Sequence, residues 1–370
     1  MLFKGTSNRT AQQIADEFES VGGYINAYTA RETTAYYAKF LKEDTNMAID
    51  ILSDMLQNSL ISEDELERER GVVLQELYQS RDTPDDIIFE HFQKMAFGNQ
   101  PLGTSILETE EIVSKMSSDD LRKYLARYYH SNNIIFGAVG NVSHNELLDT
   151  ANKYFSAFIN EKTPTYNTQF KYIGGNHSDI RDIEQVHAIV GFEGVSSKDP
   201  DYYTMAIFSS ILGGGMSSRL FQEIREKRGL VYSIYSFTNS YSNNGTFGIY
   251  SATTSDKLKE LSDVLAVELL KMKENISEQE FNRTKAQFKA SLLIAAENNS
   301  TSCEQIVNQT AIFGHPISHE EMLNKLDAVS IEDIKRLAGK ILSSKVSVVT
   351  VGKCDCSPTL SALKENGFIC

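Results

Sequence analysis

Apolar residues recur at every third or fourth position over Ala11–Ser20, Thr45–Asn58, Glu63–Tyr78 and Ser118–Tyr129, a spacing that predicts four amphipathic helices. Short apolar or alternating runs over Tyr24–Thr29 and Asn133–Val139 predict strands. Between Asn160 and Ser178 the periodicity fades into a polar stretch with Pro164, Gly174 and Gly175, the composition of a linker that carries one short strand. A domain boundary falls there, giving a first domain over 1–162, a linker over 163–180 and a second domain over 181–370.

The pattern then repeats. Ser117-Ser118-Asp119-Asp120-Leu121 opens a helix that leads to a strand ended by Gly140, and Ser330-Ile331-Glu332-Asp333-Ile334 opens another that leads to Lys345–Val351 and Gly352. Likewise Ser62-Glu63-Asp64-Glu65-Leu66 returns as Ser277-Glu278-Gln279-Glu280-Phe281. Both echoes keep the same order and nearly the same offset, so the chain reads as two divergent copies of one α/β module. The fold class expected is α+β, with antiparallel-rich sheet packed against helices.

The copies differ where chemistry could enter. In the first, Leu66, Glu69, Val72, Val73 and Glu76 share one helical stripe, so two carboxylates interrupt an apolar face. The corresponding residues of the second copy are Phe281, Thr284, Gln287, Phe288 and Ser291, without an acid. A buried carboxylate requires a cation, a metal or hydrogen-bond donors, and an ordinary salt bridge to Arg68 or Arg70 is the plain alternative.

Composition narrows the setting. With 370 residues, 41% hydrophobic and 23% charged, this is an ordinary globular chain large enough for two cores. A net charge of -14 argues against nucleic acid and favours a basic ligand. No run approaches the roughly 20 apolar residues that span a membrane, and no export signal opens the chain, so a bacterial cytoplasm or an organelle matrix is expected. Cys354, Cys356 and Cys370 read as a reduced, solvent-exposed tail, and Cys354-Asp355-Cys356 lacks the second ligand pair of a zinc site. His315 and His319 have metal-ligand spacing, but Gly314 and Pro316 break the helix they would need, which makes them loop histidines.

Several segments, in order, resemble the pitrilysin/insulinase family of zinc peptidases, and within it the processing-peptidase branch. They are Met1-Leu2-Phe3-Lys4-Gly5-Thr6, Gly22–Thr29 with Thr34–Tyr37, Glu67–Glu76, Leu102-Gly103 and Gly213–Tyr232. The resemblance spans essentially the whole chain. It implies a metalloendopeptidase whose Zn2+ is held by His-x-x-Glu-His plus a downstream glutamate. Glu76 matches that glutamate and Glu69 the acid that supports the site. Asn26, Ala27, Tyr28 and Thr29 match an edge strand that receives an extended peptide substrate. Arg225 and Tyr232 match donors for the substrate carbonyl and oxyanion, and Gly213, Gly214 and Gly215 match a substrate-contacting loop, since no P-loop lysine follows them.

One part of the pattern is absent: His-x-x-Glu-His would end on the residue before Met1. The chain is therefore expected to start at an internal methionine, to lack the first strands of its first module, and to bind zinc poorly by itself. Two modules make half of the family's clam-shell chamber, which implies a homodimer or a heterodimer with a related subunit. The alternative function is a non-catalytic peptide-binding or scaffold subunit of the same family.

Overall fold

The computed structural model describes residues 1–158 and 169–370, so the boundary expected at 162/163 lies outside the described residues. The chain is α+β and clusters into two compact units that interleave in sequence. The first unit holds α1 (Ala11–Ser20), β1 (Tyr24–Thr29), β2 (Thr34–Lys39), α2 (Thr45–Asn58) and most of α3 (Glu63–Asp82). After α4 (Pro84–Phe97), which belongs to the second unit, it resumes with α5 (Glu110–Lys115), α6 (Ser118–Tyr128) and α7 (His144–Phe155). The second unit continues through β3 (Gly175–Ile180), β4 (Val186–Glu193), α8 (Tyr202–Gly213), β5 (Ser233–Ser240), β6 (Gly245–Thr253), α9 (Leu258–Glu274) and most of α10 (Glu278–Ala296). Helix α11 (Asn299–Phe313) returns to the first unit, and α12 (His319–Ala328), α13 (Ile331–Leu342), β7 (Ser347–Gly352) and α14 (Ser357–Glu365) complete the second.

The second unit is built on a five-stranded sheet in the order β3-β7-β4-β6-β5, antiparallel except for the β3/β7 pair. Strands β6 and β7 are buried at every position, which requires cover on both faces. Residues of α8, α9 and α13 supply one cover through Phe208, Leu212, Leu265, Leu269, Leu337 and Ile341. Helix α4 supplies the other, packing Ile88 and Phe92 against Ile189, Tyr250, Val349 and Val351. That packing is why residues 79–105 cluster with the second unit although the segment from Ile106 that follows them returns to the first. Ser117 and Ser330 each close a capping box with Asp120 and Asp333, so the echoed text marks the same helix start twice.

Two expectations are corrected. Asn133–Val139 is not a strand: Ile134 has extended angles (φ -120°, ψ 134°), but among the described residues β1 and β2 pair only with each other and offer it no ladder. Ile135 and Phe136 are left 40% and 36% exposed. Nor is the cysteine-rich end a solvated tail. Residues 357–365 form α14, Cys356 and Phe368 are buried, and Cys354 and Cys370 pack on the same core. All four thiols are free, and burial raises those of Cys354 and Cys370 above their ordinary value, which makes them poor nucleophiles.

In the first unit, the segment after Met1 is pinned by a polar knot. Asp54 on α2, 4% exposed, accepts from Thr6 Oγ1 at 2.6 Å, Asn8 Nδ2 at 2.6 Å, Arg9 Nη1 at 3.0 Å and Asn58 Nδ2 at 2.8 Å. Arg9 also reaches Asp50 and Glu17. Burial alone would raise the Asp54 carboxyl, but these donors outweigh it and hold it below the usual range.

The second unit carries a pH-sensitive pair. His91 on α4 lies 3.2 Å from Asp179 Oδ2 and 4.4 Å, ring to ring, from His177, while His187 Nδ1 lies 2.7 Å from Tyr250 Oη. Burial is the largest influence on both His91 and His187 and lowers their pKa. The unfolded chain therefore takes up protons near pH 6.5 before the folded chain does, so stability falls as pH drops through that value. The melting temperature is expected to be lower at pH 5.5 than at pH 7.5, and less so in a His91→Gln/His187→Gln variant. An unchanged or higher melting temperature at pH 5.5 would contradict this.

Candidate functional site

Helix α3 sorts its stripe more finely than its spacing suggested. At about 100° per residue, Val73 and Leu77 stay within about 20° of Leu66, whereas Glu69 and Glu76 lie about 60–80° to one side. Leu66 and Leu77 are accordingly buried, Glu69 is half-buried at the rim, and Val72 and Glu76 are exposed. The expected burial of both carboxylates is thus corrected, although the two share one side of the helix. The suggested partners are corrected too. Arg68 pairs with Glu65, and Arg70 pairs with Glu67 at 2.9 Å while donating to the Val113 and Met116 carbonyls. Glu69 instead pairs with Lys4 Nζ at 2.6 Å, a contact 65 residues apart that no local pattern reveals. The Glu76 carboxylate forms no hydrogen bond or ion pair among the described residues.

Strand β1 pairs with β2 from Tyr24↔Lys39 to Thr29↔Thr34, and no strand among the described residues occupies its other edge. On β1, Ala27 N–H donates to its neighbour's Asn26 Oδ1 at 2.8 Å, and Asn26 Nδ2 donates to Tyr24 Oη. Tyr28 Oη donates to Glu304 on α11 at 2.8 Å; burial first, then this acceptor, raises its pKa. An unpaired strand edge is a template for an extended chain.

In the second unit, residues 221–226 form a π-helical turn, a rare element frequent at functional sites. Gly229, with φ 59°, then reverses the chain, so that Gly229 N–H bonds the Arg225 carbonyl and Leu230 N–H the Ile224 carbonyl. The reversal brings Tyr232 back to Arg225, whose guanidinium lies 4.6 Å from the Phe221 ring centre and 5.8 Å from that of Tyr232. Lys227 and Arg228 neutralise Glu223 and hold its carboxyl below the usual range, so the Arg-Glu-Lys-Arg run resolves into one paired cluster and one aromatic-bound cation. Tyr232 is 78% exposed and presents its hydroxyl to solvent. Gly213 ends α8 where a Cβ would come within 2.6 Å of Ser236 N, so its glycine serves close packing on β5, and Gly215 meets open space.

A zinc site needs three or four His, Cys, Asp or Glu ligands at one point. Among the described residues no group of three such side chains is placed to hold a metal ion. Glu76 stands alone, and the Lys4 ammonium occupies the Glu69 carboxylate. The described residues do not by themselves fit the metal.

The comparisons with known proteins agree over the length of the chain. The family model "Insulinase (Peptidase family M16)" matches residues 1–110, and "Peptidase M16 inactive domain" matches residues 115–288. An uncharacterised zinc protease of Rickettsia felis is 39% identical over 356 residues, covering 96% of this chain and 86% of the relative. A probable mitochondrial-processing peptidase subunit beta of Arabidopsis thaliana is 31% identical, covering 100% and 72%. A protease structure from Helicobacter pylori superposes with a TM-score of 0.88 at 20% identity, over 95% of this chain and 87% of that one, which speaks for the fold. On these matches the chain belongs to the M16 (insulinase) family of peptidases.

Proposed function

We propose that this chain is the body of a zinc-dependent metalloendopeptidase of the processing-peptidase type, acting on extended or short, basic peptides. The observation that carries the reading is the pair of carboxylates on one side of α3. Glu76 is exposed and makes no hydrogen bond or ion pair among the described residues, free to serve as a ligand, and Glu69 is half-buried beside Lys4, while the second copy has Thr284 and Ser291 there. Among the described residues no further ligand stands beside Glu76, so no catalytic step is assigned to the metal here. What this chain's residues offer is substrate handling. The free edge of β1 at Asn26–Thr29 would add a peptide as a strand, with main-chain bonds giving affinity at little cost in sequence specificity. Arg225 and Tyr232 would donate to a substrate carbonyl, and the Gly213–Gly215 loop would let a peptide approach the backbone closely.

The enzyme would work as a homodimer or with a related subunit, in a bacterial cytoplasm or an organelle matrix; no helix among the described residues is long and apolar enough to cross a membrane. The Lys4–Glu69 ion pair favours a second reading, a peptide-binding or scaffold subunit, because it gives Glu69 a structural role that needs no metal.

Binding can be tested apart from cleavage. A fluorescent basic peptide with alternate amides N-methylated is expected to bind the chain at least about tenfold more weakly than its unmodified parent, because it loses the ladder donors. Equal affinities would sink strand addition. Arg225→Ala is expected to weaken the parent peptide several-fold while costing no more than about 1 kcal/mol of stability, since the guanidinium rests on two aromatic rings at the surface.

A further inference from the structure

The loop after α8 covers a cavity of about 190 Å³, walled by Ser210 and residues 214–218 on one side and by Arg283, Thr284 and Gln287 of α10 on the other. Thr284 and Gln287 are the second copy's counterparts of Glu69 and Val72, so a hydroxyl of this recess stands where the first copy has the Glu69 carboxylate. Its polar lining consists of hydroxyls, an amide and a guanidinium. It contains no carboxylate, in a chain with 50 Asp and Glu against 36 Lys and Arg.

The recess is built. Gln222 Nε2 donates to the Met216 carbonyl at 2.7 Å, Arg283 Nη2 to the Ser217 carbonyl at 2.9 Å, and Ser218 N–H to the Gly215 carbonyl at 2.9 Å. A Cβ on Gly214 would lie 2.7 Å from Ser210 Oγ, so glycine there keeps that hydroxyl against the loop. Thr284 is 2% exposed. Ser218 is 4% exposed, and its hydroxyl has no hydrogen-bond partner among the described residues. Native structures rarely leave a buried hydroxyl unpaired, and such a group on a cavity wall awaits a partner. The second nitrogen face of the Arg283 guanidinium is likewise unbonded among the described residues.

We infer that this recess binds a carboxylate group. A carboxylate only accepts hydrogen bonds, which suits a wall of hydroxyl, amide and guanidinium donors, and a cation would find no counter-charge there. Helix α8 ends at the recess with its partial negative charge, so the Arg283 guanidinium decides the sign of the ligand. The carboxylate comes from a free small acid or from the carboxyl terminus of a peptide. The inference concerns binding alone and does not rest on the proposed peptidase activity.

Calorimetric titration of the full chain with acetate, with Ala-Ala-Ala and with Ala-Ala-Ala amide separates the possibilities. The tripeptide acid is expected to bind at least about tenfold more tightly than its amide, and Arg283→Gln to weaken the acid by at least about tenfold. Ser218→Ala should also weaken it, while leaving the melting temperature unchanged or higher, because the hydroxyl makes no hydrogen bond among the described residues. Acetate matching the tripeptide acid identifies a free small acid as the ligand; acetate binding tenfold more weakly identifies a peptide terminus. Equal binding of acid and amide, no binding by either at about 10 mM, or unaltered binding by both variants overturns the inference.

Discussion

Asp54→Ala is expected to lower the stability of the first unit by about 3–5 kcal/mol, the range seen when one partner of a buried charge network is removed. The carboxylate is 4% exposed and serves four donors, so its loss strands Thr6, Asn8 and part of the Arg9 guanidinium together. Those three residues tie the segment after Met1 to α2, and Lys4 on that segment holds Glu69. The damage should therefore reach the α3 carboxylates. Asp54→Asn keeps two hydrogen-bond positions and should cost less. Chemical denaturation followed by tyrosine fluorescence reads both, and a loss below about 1 kcal/mol for Asp54→Ala would show that solvent replaces the network. The pH sense is fixed by the same contacts. Because the folded carboxyl lies below its ordinary value near 3.8, its contribution is complete above that pH and disappears as pH falls through the lower folded value.

Glu76→Gln and Glu69→Gln should part company. Glu76 is exposed and unpaired among the described residues, so its replacement is expected to change stability by less than about 0.5 kcal/mol yet to weaken zinc binding by a metal-competent form of the protein at least about 100-fold. Glu69→Gln breaks the pair with Lys4, both partners being partly exposed, and should cost about 0.5–1 kcal/mol. As the neighbouring acid, its replacement should reduce metal affinity about 10–100-fold. If Glu76→Gln unfolds the protein, its role is structural. If neither variant alters zinc affinity, the carboxylates are surface charges.

Much of this was legible in sequence because it is local. Helices α1 and α2 and strand β1 begin and end where periodicity placed them, and the repeated Ser-x-x-Asp capping signals mark α6 and α13. Periodicity could not tell Asn133–Val139 from a paired strand, since pairing depends on a neighbour that local sequence does not name. The same limit hid the packing of α4 on the distant sheet and the docking of the cysteine-rich end. At the candidate site the residue types could be read, but the Lys4–Glu69 pair and the Arg283–Ser217 contact at the recess join residues dozens of positions apart, and the aromatic seat of Arg225 depends on the reversal at Gly229, which periodicity does not show. Stripe spacing also exaggerated the burial of Glu76, because a stripe wide enough to hold it extends past the edge of the buried face.

The central proposal is that Glu76 serves as a ligand in a zinc-peptidase site, which the described residues do not complete by themselves. The most direct test measures zinc content and cleavage of a basic peptide for the 370-residue chain and for a polypeptide in which a His-x-x-Glu-His helix precedes Met1. The account predicts little zinc and no chelator-sensitive cleavage for the first. For the second it predicts about one zinc per chain and cleavage that is lost with chelator or with Glu76→Gln. Chelator-sensitive cleavage by the 370-residue chain itself, or full activity of the extended Glu76→Gln protein, would contradict it.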